Sequence, residues 1–240
     1  MTRTPLDEII YPPFEGFPKE GLDFLKKLKR NNNRPWFAKH KQQYEEFVKF
    51  PMQCLIATLA PLIHEFAPEF EVHPNRSMFR IYRDTRFSND KIPYKTHVAA
   101  HFSPTGCKMT GSGLYVHVEP GEVYLGGGYY MPSSEHLRSI RGAIAARSDE
   151  FKSILARHEF RRLYGTLEGE KLSRVPQGYE KDHPMAEYLK FKQFYAGMSL
   201  DEKTALRKDF PKKVIESFTV IYPLVRFLNA SIGMDAGRKV

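Results

Sequence analysis

Residues 76 to 97 read RSMFRIYRDTRFSNDKIPYKTH, in which six basic side chains (76, 80, 83, 86, 91 and 95) face two acidic ones (84 and 90). Guanidinium groups present forked donors that match phosphate or carboxylate oxygens, lysine adds a point charge, and tyrosine adds a neutral donor or a stacking face. Tyr82, Phe87 and Tyr94 are interleaved among the charges, which is the make-up of an anion site. Arg80, Arg83, Arg86, Lys91 and Lys95 are expected to hold the anion, with Tyr82 and Tyr94 orienting it and Asp84 and Asp90 completing the site. The same residues fit a plainer arrangement, an Arg–Asp network that pins the 84–95 loop and touches no ligand. Strand alternation puts Arg83 on the side of Phe79 and Ile81, where Asp84, Asp90 or Glu119 could pair with it.

Histidines supply the second candidate chemistry. His97, His101 and His117 are expected on one sheet face, but four residues along a strand span about 13 Å, so His97 and His101 cannot share one ion. No metal ligands are expected on that ground. His117 and Glu119 point the same way two residues apart, so they, or His97, are the candidates for proton transfer. No cofactor follows from the sequence. Gly126, Gly127 and Gly128 lack the strand-to-helix spacing of a dinucleotide or phosphate-loop fingerprint and read as a bulge or a close backbone approach. The stretch GYEKDHP precedes a helix start, where Asp182 or His183 serves as the cap or the helix amides receive an anion.

These residues must be positioned by a sheet. From residue 77 apolar side chains recur at every second position: Phe79 and Ile81, then Val98, Ala100 and Phe102, then Leu114, Val116 and Val118, then Val123 and Leu125. About four antiparallel strands within residues 77–130 follow. Their polar face would display Arg80, Tyr82, His97, His101, Tyr115, His117 and Tyr124. Before them a helix is expected over 22–28, then a longer one capped by Asn33 with Pro35 in its first turn, kinked or divided at Pro51 and Pro61. Trp36 and Phe37 belong to its core face. After the strands, helical spacing returns at 134–147, 149–158, 184–190, 200–208 and 211–229. Grouped strands between groups of helices make the class α+β. The expected organisation is an extended arm over 1–16, one α+β domain over 17–230 and a flexible tail over 231–240.

Composition sets the outer bounds. The chain has 240 residues, a formal charge of +9 and 41% hydrophobic residues, enough to build a core and to exclude a disordered body. The positive balance points to an anionic small molecule, or alternatively to nucleic acid. The two cysteines, Cys54 and Cys107, suit neither a disulfide framework nor a thiolate metal site and read as inert thiols. No stretch is expected to supply the roughly 20 apolar residues of a membrane span, and the charged, proline-broken start leaves no signal-peptide core, so a cytoplasmic protein is expected.

The run RIYRDTRFSNDKIPYKTH resembles the signature of a bacterial and fungal family known as domain of unknown function 2461. The match rests on Arg80, Arg83, Asp84, Arg86, Phe87, Asp90, Lys91 and Tyr94. NNNRPWF near residue 31, HVEPG at 117–121, the triple glycine and the DHP before residue 185 extend the likeness along the chain. The resemblance implies no substrate, cofactor or catalytic residue. The leading expectation is therefore a phosphate-bearing or other anionic small ligand bound beside the 84–95 loop, with turnover left open. A nucleic-acid binder and a non-catalytic interaction scaffold are the alternatives.

Overall fold

The computed structural model describes residues 10–86, 89–106 and 110–234. Phe87, Cys107, the first nine residues of the expected arm and residues 235–240 of the expected tail lie outside them.

Helix α1 (Lys19–Arg30) buries Leu22, Leu25 and Leu28, an i, i+3, i+6 stripe, and ends at Asn31. Asn33 caps α2 (Arg34–Tyr44), its side-chain oxygen accepting from the Trp36 N–H at 2.9 Å. A π-helical turn at Glu45–Lys49 then joins α2 to α3 (Phe50–His64), and a single turn, α4 (Pro74–Ser77), leads into the charged segment. Pro51 has no N–H for the preceding turn, and the wider turn absorbs the mismatch, so the helix runs on past one proline and contains another, Pro61. The run Arg34–His64 contains an 18-residue window of mean hydropathy 1.3, which by length and composition could cross a membrane. This qualifies the reading that no stretch is that apolar. In the fold its apolar face, Met52, Leu55, Ile56, Leu59 and Ile63, is fully buried.

The sheet has four antiparallel strands in the order β1 (Val98–Phe102), β2 (Gly113–Glu119), β3 (Glu122–Tyr129), β4 (Phe194–Leu200). Its composition differs from expectation at both ends. Residues 79–82 form no ladder, because the segment divides its partners: Met78 bridges Ala100, whereas Tyr82 bridges Tyr94 of its own loop. The fourth strand comes from 194–200 instead, with Phe194, Ala196 and Met198 on the core face and Gly197 opposite them, and a 3-10 turn at Glu202–Leu206 replaces the helix expected from 200.

Val98, Ala100, Phe102, Leu114, Val116, Val118, Val123 and Leu125 make one buried sheet face. Against it packs the long helix α9 (Phe210–Ser231), whose Val214, Phe218, Ile221, Leu224, Val225 and Leu228 are fully buried. Each such side chain contributes roughly 1.5–3 kcal/mol through apolar area removed from water. Around α9 lie α5 (Ser134–Ala146), α6 (Ser148–Ala156) and α7 (His158–Tyr164). The described end of the arm is tied in: Phe14 and, just after it, Phe17 are buried, and their N–H groups donate to Thr58 Oγ1 and the Ala205 carbonyl.

Candidate functional site

With one sheet face given to the core, alternation puts the opposite set on the other: His97 and His101 at β1, Tyr115, His117 and Glu119 on β2, Glu122 and Tyr124 on β3, Tyr195 and Ser199 on β4. Four glycines share this face, Gly113, Gly126, Gly128 and Gly197. They leave room for rings to lie flat. A Cβ at Gly113 would collide with His101, and one at Gly197 with Tyr124. The triple glycine thus serves close approach within the sheet: a Cβ at Gly126 would stand 2.5 Å from the Ala196 carbonyl, and Gly128 has φ +128°.

Over this face opens a recess of about 550 Å³. Its walls are His97, His101, His117 and the rings of Tyr115, Tyr124 and Tyr195, with Phe79 and Lys95 on one side and Glu168, Tyr130 and Met131 on the other. Tyr130 and Met131 are more than half exposed and form the rim. The rings brace one another: His117 stacks on Tyr124 at 5.5 Å and 16°, and His97 lies 5.2 Å from His117.

The site is poor in charge for so basic a chain. Burial, with His117 and Lys95 nearby, brings His97 down to about 4, and burial also lowers His117 against the pull of Glu122. Burial pushes Tyr115 up to about 12, helped by Glu119, and raises Tyr124 further, helped by Glu168. At neutral pH these rings are uncharged donors and acceptors. Among the described residues lining the recess, Lys95 is the one fixed cation and Glu168 the one carboxylate. Lys95 Nζ donates to the Arg80 carbonyl at 3.1 Å, sits 4.9 Å from the Phe79 ring and is lowered by burial and by Arg80.

The arginines lie elsewhere. Arg83 donates to Asp90 at 2.6 Å, and Arg86 grips Asp84 through two bonds of 3.0 and 2.7 Å, holding that exposed carboxyl down to about 2. Lys91 Nζ donates to the Thr85 carbonyl at 2.9 Å. Tyr94 is buried, stacked on Phe37 at 4.1 Å, with its backbone N–H and C=O both bonded to the Asn32 side chain. Arg80 and the exposed Tyr82 line a separate, smaller recess of about 230 Å³ beside Phe37 and Lys41. Of the nine ligand-binding candidates, only Lys95 reaches the large recess.

The proton-transfer candidates do come together. His97 and His117 share one wall, and Glu119 Oε1 lies 4.0 Å from His117 Nε2. Burial and Glu122 raise Glu119, with Lys29 opposing. The GYEKDHP stretch is accounted for locally: His183 Nδ1 accepts the Met185 N–H at 3.0 Å ahead of the four-residue helix α8 (Ala186–Leu189). Sequence reasoning missed Glu168, Tyr195 and the rim residues Tyr130 and Met131, whose place depends on β4; the alternation of Phe194, Ala196 and Met198 was the available signal.

A family model described as conserved hypothetical protein (DUF2461) matches residues 20–227. No curated protein and no solved structure matches the chain.

Proposed function

From the premise that the chain belongs to this family of conserved hypothetical proteins, we propose that its function is to bind a small organic anion in the recess on the polar sheet face. The observation that carries the reading is a cavity of about 550 Å³ walled by aromatic rings with a single cation, Lys95, at one side. That volume lies within the range of small-molecule sites, which combine apolar and aromatic walls with a few convergent polar groups. A planar or ring-shaped body would stack between Tyr115, Tyr124 and Tyr195 while its carboxylate or phosphate meets Lys95, whose ammonium has donors to spare beyond the Arg80 carbonyl. A polyanion suits this lining poorly, because uncharged imidazoles and phenols do not neutralise several phosphates.

His97, held near 4, is a weak base at neutral pH and is assigned to hydrogen bonding with the ligand. The arginine loop is assigned a different part. Arg83 and Arg86 are already engaged by Asp90 and Asp84, so they hold the loop that carries Lys95 at its end.

The test is a thermal-shift series with inorganic phosphate, aromatic carboxylates, nucleoside monophosphates and short oligonucleotides on the wild type, Lys95→Met and Arg86→Ala. Small anions are expected to stabilise the wild type and Arg86→Ala but not Lys95→Met, since a ligand stabilises in proportion to its affinity for the folded state. Stabilisation lost in Arg86→Ala but kept in Lys95→Met would move the site to the arginine loop. Stabilisation by oligonucleotides alone would favour a nucleic-acid binder.

A further inference from the structure

We propose that His117, Glu119 and Glu122 hold a divalent first-row metal ion at the β2–β3 turn end of the polar face. The antiparallel register sets Glu119 directly opposite Glu122, with His117 one step in on the same face, and one donor atom from each of the three lies within 4.8 Å of the others. Metal bonds of about 2.0–2.2 Å require donors roughly 3–3.5 Å apart, a closure of about an ångström that carboxylate torsions can supply.

Three features single this cluster out. Like charges directly opposite on paired strands destabilise a sheet, yet among the described residues no lysine or arginine nitrogen stands within 4.0 Å of either carboxylate. Next, His117 Nε2 is buried without a hydrogen-bond partner, at 4.0 Å from Glu119, too far for a hydrogen bond. A bound cation would satisfy the nitrogen lone pair and both carboxylates at once. Finally, the outer partners of a metal site are in place: His117 Nδ1 is 3.2 Å from the Tyr115 hydroxyl, which orients the ring, and the Ser199 hydroxyl donates to Glu122.

One imidazole and two carboxylates form a mixed nitrogen and oxygen set that suits zinc, manganese or iron(II). Calcium takes six to eight oxygens, more than this cluster offers. Three protein ligands leave coordination positions free, and because His117 also lines the recess those positions border the ligand space. The proposal stands whether or not the recess binds an anion.

Calorimetric titration of chelator-stripped protein with zinc and manganese, and the visible absorption of added cobalt(II), test it. One ion per chain is expected, with affinity weakened about tenfold or more in the near-isosteric double variant Glu119→Gln/Glu122→Gln. Thermal unfolding in chelator establishes that this variant folds; if it does not, His117→Asn read by the cobalt spectrum takes its place. No saturable binding by the wild type, or equal affinity in a folded variant, overturns the proposal.

Discussion

The ring of Tyr124 lies across Gly197 on the neighbouring strand, in space that any side chain at 197 would occupy. This pair sets the shape of the recess, because the tyrosine forms one wall only while position 197 lacks a Cβ. Gly197→Ala is expected to swing Tyr124 into the recess and to lower stability by on the order of 1–3 kcal/mol, the usual effect of overpacking. Chemical denaturation and the anion-induced thermal shift are the measurements. An alanine variant that unfolds and responds like the wild type would show that the ring does not depend on the glycine.

Asn229 ties the end of α9 to the start of β2. Its side chain accepts from the Ser112 N–H at 2.9 Å and donates to the Ser112 carbonyl at 3.0 Å, with both residues buried. Asn229→Ala leaves two backbone groups unsatisfied in the core and should lower stability by on the order of 3 kcal/mol. The urea midpoint should fall at an unchanged m-value. A shift of a few tenths would mean that water replaces the amide.

Glu202 supplies the clearest pH dependence. One carboxylate oxygen accepts the Gly121 N–H at 2.8 Å and the other meets Lys26 at 3.0 Å, and these two bonds, the backbone one foremost, lower its pKa below the ordinary 4.5. A depressed folded-state pKa means that the unfolded chain takes up the proton first. Its contribution is therefore present above pH 4.5 and is lost as pH falls through the folded value. Glu202→Gln should flatten the stability profile in that acidic window and leave its slope near neutrality unchanged. Parallel profiles for the two proteins would rule out this contribution.

Asp84 and Asp90 each offset the charge of one arginine at the surface, Arg86 and Arg83. Replacing both with alanine should leave the unfolding midpoint nearly unmoved, since exposed ion pairs contribute little. The same change should create salt-sensitive retention on an anionic resin beyond that of the wild type. Unchanged retention would mean that the freed guanidinium groups find other partners.

Periodicity made much of this fold legible. The strands around 98–102, 114–118 and 122–125, the Asn33 cap and the closing helix all follow from local patterns that each segment carries within itself, whereas β3 runs on through the triple glycine to Tyr129 and the helix from Arg34 continues past Pro51. The polar face was legible for the same reason, since alternation alone separates His97, His101, Tyr115, His117 and Tyr124 from their apolar neighbours. The fourth strand was not, because Gly197 lowers its strand propensity and its pairing with β3 closes a long gap in sequence.

What the residues alone determined is the class of the fold, the identity of the three consecutive strands β1, β2 and β3 and the side-chain types on their open face. Tertiary structure decided how the charges are spent. Whether Arg83 and Arg86 face a ligand or an internal carboxylate was open in sequence, because charge density along a chain says nothing about which carboxylate a folded loop brings within 3 Å; Asp90 and Asp84 take them. The recess, and the meeting of His117 with Glu119 and Glu122, exist only once the strands are in register, since that pairing alone fixes which side chains share a space.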